Sequence, residues 1–211
     1  MKASVVSTAA LIRERIEGFP AGEPFTSVEF MTSGTRVSVD HALSRLTKAG
    51  VISRVTRGVY VRPIINKHVG PVVPGPFKIA QAVARSMGAQ ISVNGAEAAR
   101  RFELSTQMSA QSLFLTTGPT RHIKVGNSRI RLQHTSPRKL ALAGRPAGAA
   151  LSALWYLGRG EVTSKVIAQI RTKLSPEEFQ ALRSSTELMP SWMSDAFYRY
   201  SQETSSELSV A

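Results

Sequence analysis

The sequence predicts an α+β protein, and three observations carry that reading. Apolar residues recur at helical spacing in the first fifty residues and again from residue 137 onward. After Gly50, and again between residues 112 and 134, branched apolar residues alternate with polar ones in short runs bounded by glycine, as half-buried strands do. A stretch rich in proline and glycine, "PIINKHVGPVVPGPF", separates an early block from a later one.

The elements follow in order. Residues 7–17, "STAALIRERIE", predict a first helix with Leu11, Ile12 and Ile16 on its apolar side. "GFPAGEP" stops it. Thr26 and Glu29 then stand at capping-box spacing, which predicts a second short helix ending near Gly34. A third helix begins at about Thr35–Val37. Its Val39, Leu43 and Leu46 recur at i, i+4 and i+7, with Ala42 and Ala49 filling the same side. Gly50 ends it. "VISRVTRGVYV" alternates across Arg57-Gly58, a hairpin pattern closed by Pro63.

The division of the chain is placed in the connector, giving residues 1–63, a connector at 64–76 and a second domain at 77–211. In that second part the pattern predicts a helix at 77–87, a strand at 89–93 and a helix at 95–102. Strands at 112–117, 120–125 and 128–134 come next. Five helical segments then fill residues 137–203, with Leu151, Leu154 and Trp155 as material for a second core, and the polar last residues are expected to fray.

Charge narrows the function. The chain carries a formal net charge of +13, which points to a polyanionic partner. Residues 1–62 contribute +4, residues 63–160 contribute +11, and residues 161–211 contribute −2. There is no cysteine, which excludes disulfides and thiolate metal sites. No run has the length of a membrane span, and the opening residues lack the unbroken apolar core of a signal peptide. A cytoplasmic protein is therefore expected.

Three helices followed by a basic two-stranded hairpin is the order of a winged helix-turn-helix, expected here over residues 1–63. Ser38, His41, Arg45 and Lys48 share the side of the third helix opposite Val39, Leu43 and Leu46, and Arg36 precedes them. A small, polar or cationic outer face suits the major groove, where it presents donors to base edges and phosphates. The hairpin offers Arg54 and Arg57, with Gly58 permitting the tight turn. Tyr60 and Val61 read as packing residues. The same pattern on a bland protein is a solvated helix face beside an ordinary hairpin.

"FTSVEF" followed by "VDHALSRLTKAGVISRVTRGVYVRP" resembles the N-terminus of the AbiEi family of type IV antitoxins and its relatives of unknown function. Leu43, Arg45, Leu46, Gly50, Ile52, Arg54, Gly58, Tyr60 and Pro63 fall on that family's pattern of a helix running into a wing. "NGAEAARRFELSTQMSAQSLFLTTGPTR" is similar to a second block of the same family. The likeness spans roughly residues 25–160, and residues 161–211 carry no motif of the family. The resemblance implies a bacterial repressor that binds operator DNA at its own promoter and antagonises a nucleotidyltransferase-like toxin.

Between residues 100 and 145 nine cations face one acid, Glu103. Arg100, Arg101, Arg121, Lys124, Arg129, Arg131, Arg138 and Lys139 form the candidate second basic surface, with Arg145 at its end. Three uses stay open for it: a longer DNA footprint, a docking face for an acidic protein or an RNA-handling partner, or a solvated sheet face. Gln107 and the Thr116-Thr117-Gly118 turn read as organisers of the fold. Enzyme chemistry finds little support. The two aspartates, Asp40 and Asp195, lie far apart in the chain, whereas metal-dependent nucleotidyl transfer needs clustered carboxylates. His41, His68, His122 and His134 lack ligand spacing. No phosphate-binding glycine loop or nucleophile elbow is present. The expectation is a DNA-binding regulator with no catalytic residue, metal or cofactor. The alternative is a basic adaptor for protein or RNA.

Overall fold

The computed structural model describes residues 7–68, 70–107 and 111–210, with side chains described through Ser206. Residues 1–6, part of the segment read above for a leader, and residues 108–110 of the second resemblance block lie outside the described residues. The architecture is mixed α+β. It groups into two compact units, Met1–Gly88 with Ile123–Ile130, and Ala89–His122 with Arg131–Ala211.

In the first unit, helix α1 (Thr8–Glu17) starts where the Ser7 hydroxyl accepts from the Ala10 N–H. It buries Ile12 and Ile16, while Leu11, expected beside them, is 39% exposed. Successive residues turn about 100° around a helix, which carries Leu11 off the stripe. Strand β1 (Pro24–Thr26) follows. The second helix is shorter than the sequence predicts, a single 3-10 turn over Ser27–Phe30. The Glu29 carboxylate accepts from the Thr26 N–H at 2.9 Å and starts it. Thr32, Ser33 and Gly34, all turn formers, keep it from continuing.

Helix α2 (Arg36–Lys48) is capped at its start by Thr35 and leads into strands β2 (Ser53–Thr56) and β3 (Val59–Val61). The three-stranded sheet has the order β1-β3-β2 and is antiparallel throughout, with Tyr60 opposite both Phe25 and Arg54. Under it lies a core of Ile12, Ile16, Phe25, Phe30, Val39, Leu43 and Ile52. Phe25 organises that core, stacking on Phe19 at 5.1 Å and meeting Phe30 edge to face at 5.6 Å. Arg62, just past β3, donates to the carbonyls of Glu17 and Phe19 at 2.7 Å each. A cation at the carboxy end of α1 meets both the free carbonyls and the helix dipole.

The connector is not a plain loop. It pairs as β4 (Ile64–Asn66) with β5 (Gly70–Val72), antiparallel. Helix α3 (Pro76–Arg85) follows and groups with the first unit, whereas proline and glycine content points to a division at 64–76. The reason is packing. Ile79, Ala80 and Val83 are buried where α3 lies against β1 and β3. Lys78 pairs with Glu23 at 3.1 Å, and Arg85 donates to the Pro24 carbonyl at 3.1 Å.

The second unit is built around strand β6 (Ile91–Val93), helix α4 (Gly95–Arg101) and strand β7 (Ser112–Thr116). Strands β8 (Arg121–Val125) and β9 (Ser128–His134) complete a sheet of order β6-β7-β9-β8. The outer part of that hairpin, 123–130, groups with the first unit. The Thr116-Thr117-Gly118 turn is tied to Gln90: the Thr116 hydroxyl donates to its carbonyl at 2.8 Å, and the Thr117 hydroxyl accepts from its N–H at 3.0 Å.

Helices α5 (Pro146–Leu157), α6 (Ser164–Lys173), α7 (Pro176–Ser184) and α8 (Ser191–Val210) form the helical end. Helix α8 runs on to Val210, through the polar last residues. Helix α5 is apolar nearly all round, and Ala147, Ala150, Leu151, Ala153 and Leu154 are fully buried. Gly95 lets α4 approach it closely: a Cβ there would lie 2.4 Å from Tyr156 Cβ and 2.8 Å from the Ser152 carbonyl. Tyr156 OH in turn donates to Gln107.

Candidate nucleic-acid interface

Helix α2 is bounded at both ends by local chemistry. The Thr35 hydroxyl accepts from the Ser38 N–H at 3.3 Å. At the other end Gly50 takes φ +73°, the Gly50 N–H bonds the Thr47 carbonyl, and the Val51 N–H bonds the Leu46 carbonyl. This is a complete Schellman stop, and it needs a residue free to take positive φ. The turn delivers Ile52 into the core and starts β2 immediately.

The burial of Val39, Ala42, Leu43 and Leu46 fixes which face of α2 meets solvent. Arg36, His41, Arg45 and Lys48 are all exposed. Ser38 is half-buried and shares a 2.9 Å hydrogen bond with Thr35, so it belongs to the cap more than to the open face. Ala49, expected on the apolar side, is exposed because it sits at the C-cap, where the chain leaves the helix.

Sequence spacing missed three occupants of this face. Val37 is 65% exposed, and Ser44 is exposed beside His41 and Lys48. Asp40 is exposed too, and it accepts from Arg36 Nε at 3.0 Å. At about 100° per residue, Val37, Ser44, His41 and Lys48 lie opposite the buried stripe, with Arg45 on one flank and the Arg36–Asp40 pair on the other. A helical wheel of the whole segment, and not only of its cations, would have shown them.

The β2–β3 hairpin turns through Arg57 and Gly58, with Gly58 at φ +78° and open space where a Cβ would stand. Glycine is needed there for its backbone angle and not for room. Arg54 and Arg57 are exposed, and Arg54 Nε donates to the Thr56 carbonyl at 3.4 Å across a bulge. Tyr60 and Val61 are buried, as packing residues are.

The candidate second surface separates into two kinds of cation. Arg100 and Arg101 both bind Glu97, each through Nε at 3.0 Å. The Arg100 hydrogen bond, then that from Arg101, holds the Glu97 carboxyl below its ordinary value. Arg138 donates to the carbonyls of Leu188 and Met189, and the Lys139 ammonium lies 4.9 Å from the Trp155 ring centre. Arg145 pairs with Glu178 at 2.9 Å. These five cations serve the fold. Arg121, Lys124, Arg129 and Arg131 are exposed and have no carboxylate partner among the described residues. Strand alternation sets Arg129 and Arg131 on the side of β9 opposite buried Ile130 and Leu132, and Lys124 on the side of β8 opposite Ile123.

Among the described residues no three His, Asp or Glu side chains come together as a metal site. No helix among them is long and apolar enough to cross a membrane. Over residues 11–182 the chain matches DUF6088, a family of unknown function, and it belongs to that family. The match runs from α1 to α7 and stops short of α8. No curated protein and no solved structure matches it.

Proposed function

We propose that the chain is an operator-binding transcriptional regulator whose first unit works as a winged helix-turn-helix. Helix α2 enters the major groove of duplex DNA, and the β2–β3 hairpin is the wing on the adjacent phosphates. One observation carries this reading. The solvent face of α2 holds His41, Arg45 and Lys48, and the next element in the chain exposes Arg54 and Arg57. The element order α1, β1, short helix, α2, β2, β3 and the sheet order β1-β3-β2 support it. In this reading the protein acts by binding and not by catalysis, in the cytoplasm. Its resemblance to type IV antitoxins makes a nucleotidyltransferase-like toxin the partner to look for.

The second reading is a basic adaptor for protein or RNA without a toxin partner. Val37, apolar and 65% exposed in the middle of the face, favours it. On DNA the same side chain would lie against a thymine methyl group.

A salt titration on duplex DNA containing the promoter of the chain's own gene separates the two. DNA binding is expected to weaken steeply with salt through counterion release. Arg45→Ala is expected to cost about 1–3 kcal/mol on the specific sequence, whereas the Arg54→Ala, Arg57→Ala pair weakens all sequences alike and flattens the salt slope by about two units. A shallow slope that neither change moves would sink the DNA reading.

A further inference from the structure

A cleft in the second unit lies among α6, α7 and α8, with a volume of about 380 Å³. That is within the size range of small-molecule sites, roughly 300–1,000 Å³. Its lining sorts by chemistry. Leu174, Pro176, Phe179 and Tyr200 supply apolar and aromatic surface, and Arg171 and Arg183 supply positive charge. Among the described residues no acid lines it, although acids outnumber bases by seven to five over residues 161–211.

The two arginines differ in how they are held. Arg171 Nη1 donates to the Tyr200 hydroxyl at 2.7 Å, and its guanidinium carbon lies 5.9 Å from the Phe179 ring centre. The ring and the phenol fix this side chain in place, and Phe179 and Tyr200 brace each other edge to face at 6.0 Å. Arg183 is exposed and has no carboxylate partner among the described residues. A positioned guanidinium beside a free one is a fork for a phosphate, which takes several charge-assisted bonds at once.

Two hydroxyls define the rest of the ligand. Ser201 Oγ donates to the Phe197 carbonyl and Thr204 Oγ1 to the Tyr200 carbonyl, so their protons are committed to the helix. Both residues line the cleft, and each oxygen keeps lone pairs that can accept. The cleft therefore suits a flat body with hydrogen-bond donors on one part and a phosphate on another.

We propose that this cleft binds a nucleoside phosphate, with Arg171 and Arg183 on the phosphate and the Phe179–Tyr200 wall against the base. The site is independent of the α2 face and stands or falls apart from the DNA reading. The test titrates the full chain with adenosine monophosphate by calorimetry, beside adenosine, inorganic phosphate and phenyl phosphate. Adenosine monophosphate is expected to bind saturably and several-fold tighter than any of the other three. Arg183→Gln weakens it about tenfold, the loss expected for one charge-assisted bond. Arg183 has no ion pair among the described residues, so this variant is expected to keep the parent's circular dichroism. Arg45→Ala leaves the binding unchanged. The proposal is overturned by absence of saturable binding in the millimolar range, or by equal binding to Arg183→Gln. It falls as well if phenyl phosphate binds as tightly as the nucleotide, or if Arg45→Ala and not Arg183→Gln abolishes binding.

Discussion

Arg36 Nε and Asp40 Oδ2 stand 3.0 Å apart, one turn apart on the solvent face of α2. The pair neutralises one end of a face that is otherwise cationic. Both side chains are more than half exposed, so the pair itself adds little to stability. Its consequence is for binding. An arginine that must leave a carboxylate to reach a phosphate gains less than a free one, and the carboxylate left behind repels the backbone.

Asp40→Asn is therefore expected to raise affinity for duplex DNA, by about threefold to tenfold at low salt. The gain should shrink as salt rises, and the slope should steepen by up to about one unit as Arg36 becomes free for phosphate. Fluorescence anisotropy across a salt series reads both. An unchanged affinity would mean that this end of α2 does not approach DNA.

Stability and binding should separate on the two faces of the same helix. Leu43→Ala removes a fully buried side chain and is expected to cost about 2–5 kcal/mol in urea unfolding. Arg45→Ala, two residues on and about half a turn round on the exposed face, should stay within about 0.5 kcal/mol of the parent. If Arg45→Ala destabilises the fold as much as Leu43→Ala, its effect on DNA cannot be read as a contact.

Gly148 is held by a close approach. A Cβ there would lie 2.1 Å from the Leu142 carbonyl oxygen, and backbone cannot step aside as a side chain can. Gly148→Ala is expected to destabilise the second unit by about 1–3 kcal/mol or more. Gly160→Ala, with open space at its Cβ position, is the control and should be near neutral. Thermal melts of both variants decide it.

Glu178 ties α7 to the start of α5. Its carboxylate accepts from the Ala147 N–H at 2.9 Å and from Arg145 through Nε and Nη2. The backbone bond first, and Arg145 after it, hold this carboxyl below its ordinary value of 4.5. A depressed carboxyl contributes stability above its unfolded value and loses it as pH falls through the folded one. Glu178→Gln should accordingly melt below the parent at pH 7, and the gap should close as pH is taken below 4.5. A gap that persists at low pH would assign the loss to packing rather than to charge.

Local chemistry made much of this protein legible in its sequence. Thr35, the Val39–Leu43–Leu46 stripe and Gly50 delimit α2 because capping, periodicity and positive φ are properties of a few adjacent residues. The hairpin at Arg57-Gly58 and the strand expected at 128–134 are legible for the same reason. What only the tertiary structure decided depends on partners distant in sequence. The sequence shows nine cations between 100 and 145. The fold engages Arg100, Arg101, Arg138, Lys139 and Arg145 with Glu97, two carbonyls, Trp155 and Glu178, and among the described residues leaves the exposed β8–β9 arginines and lysine without carboxylates. Helix α3 joins the first unit because its apolar side packs on β1 and β3, more than fifteen residues back along the chain. Composition cannot reveal such pairings, since charge and hydrophobicity name what a side chain can do but not which distant group reaches it.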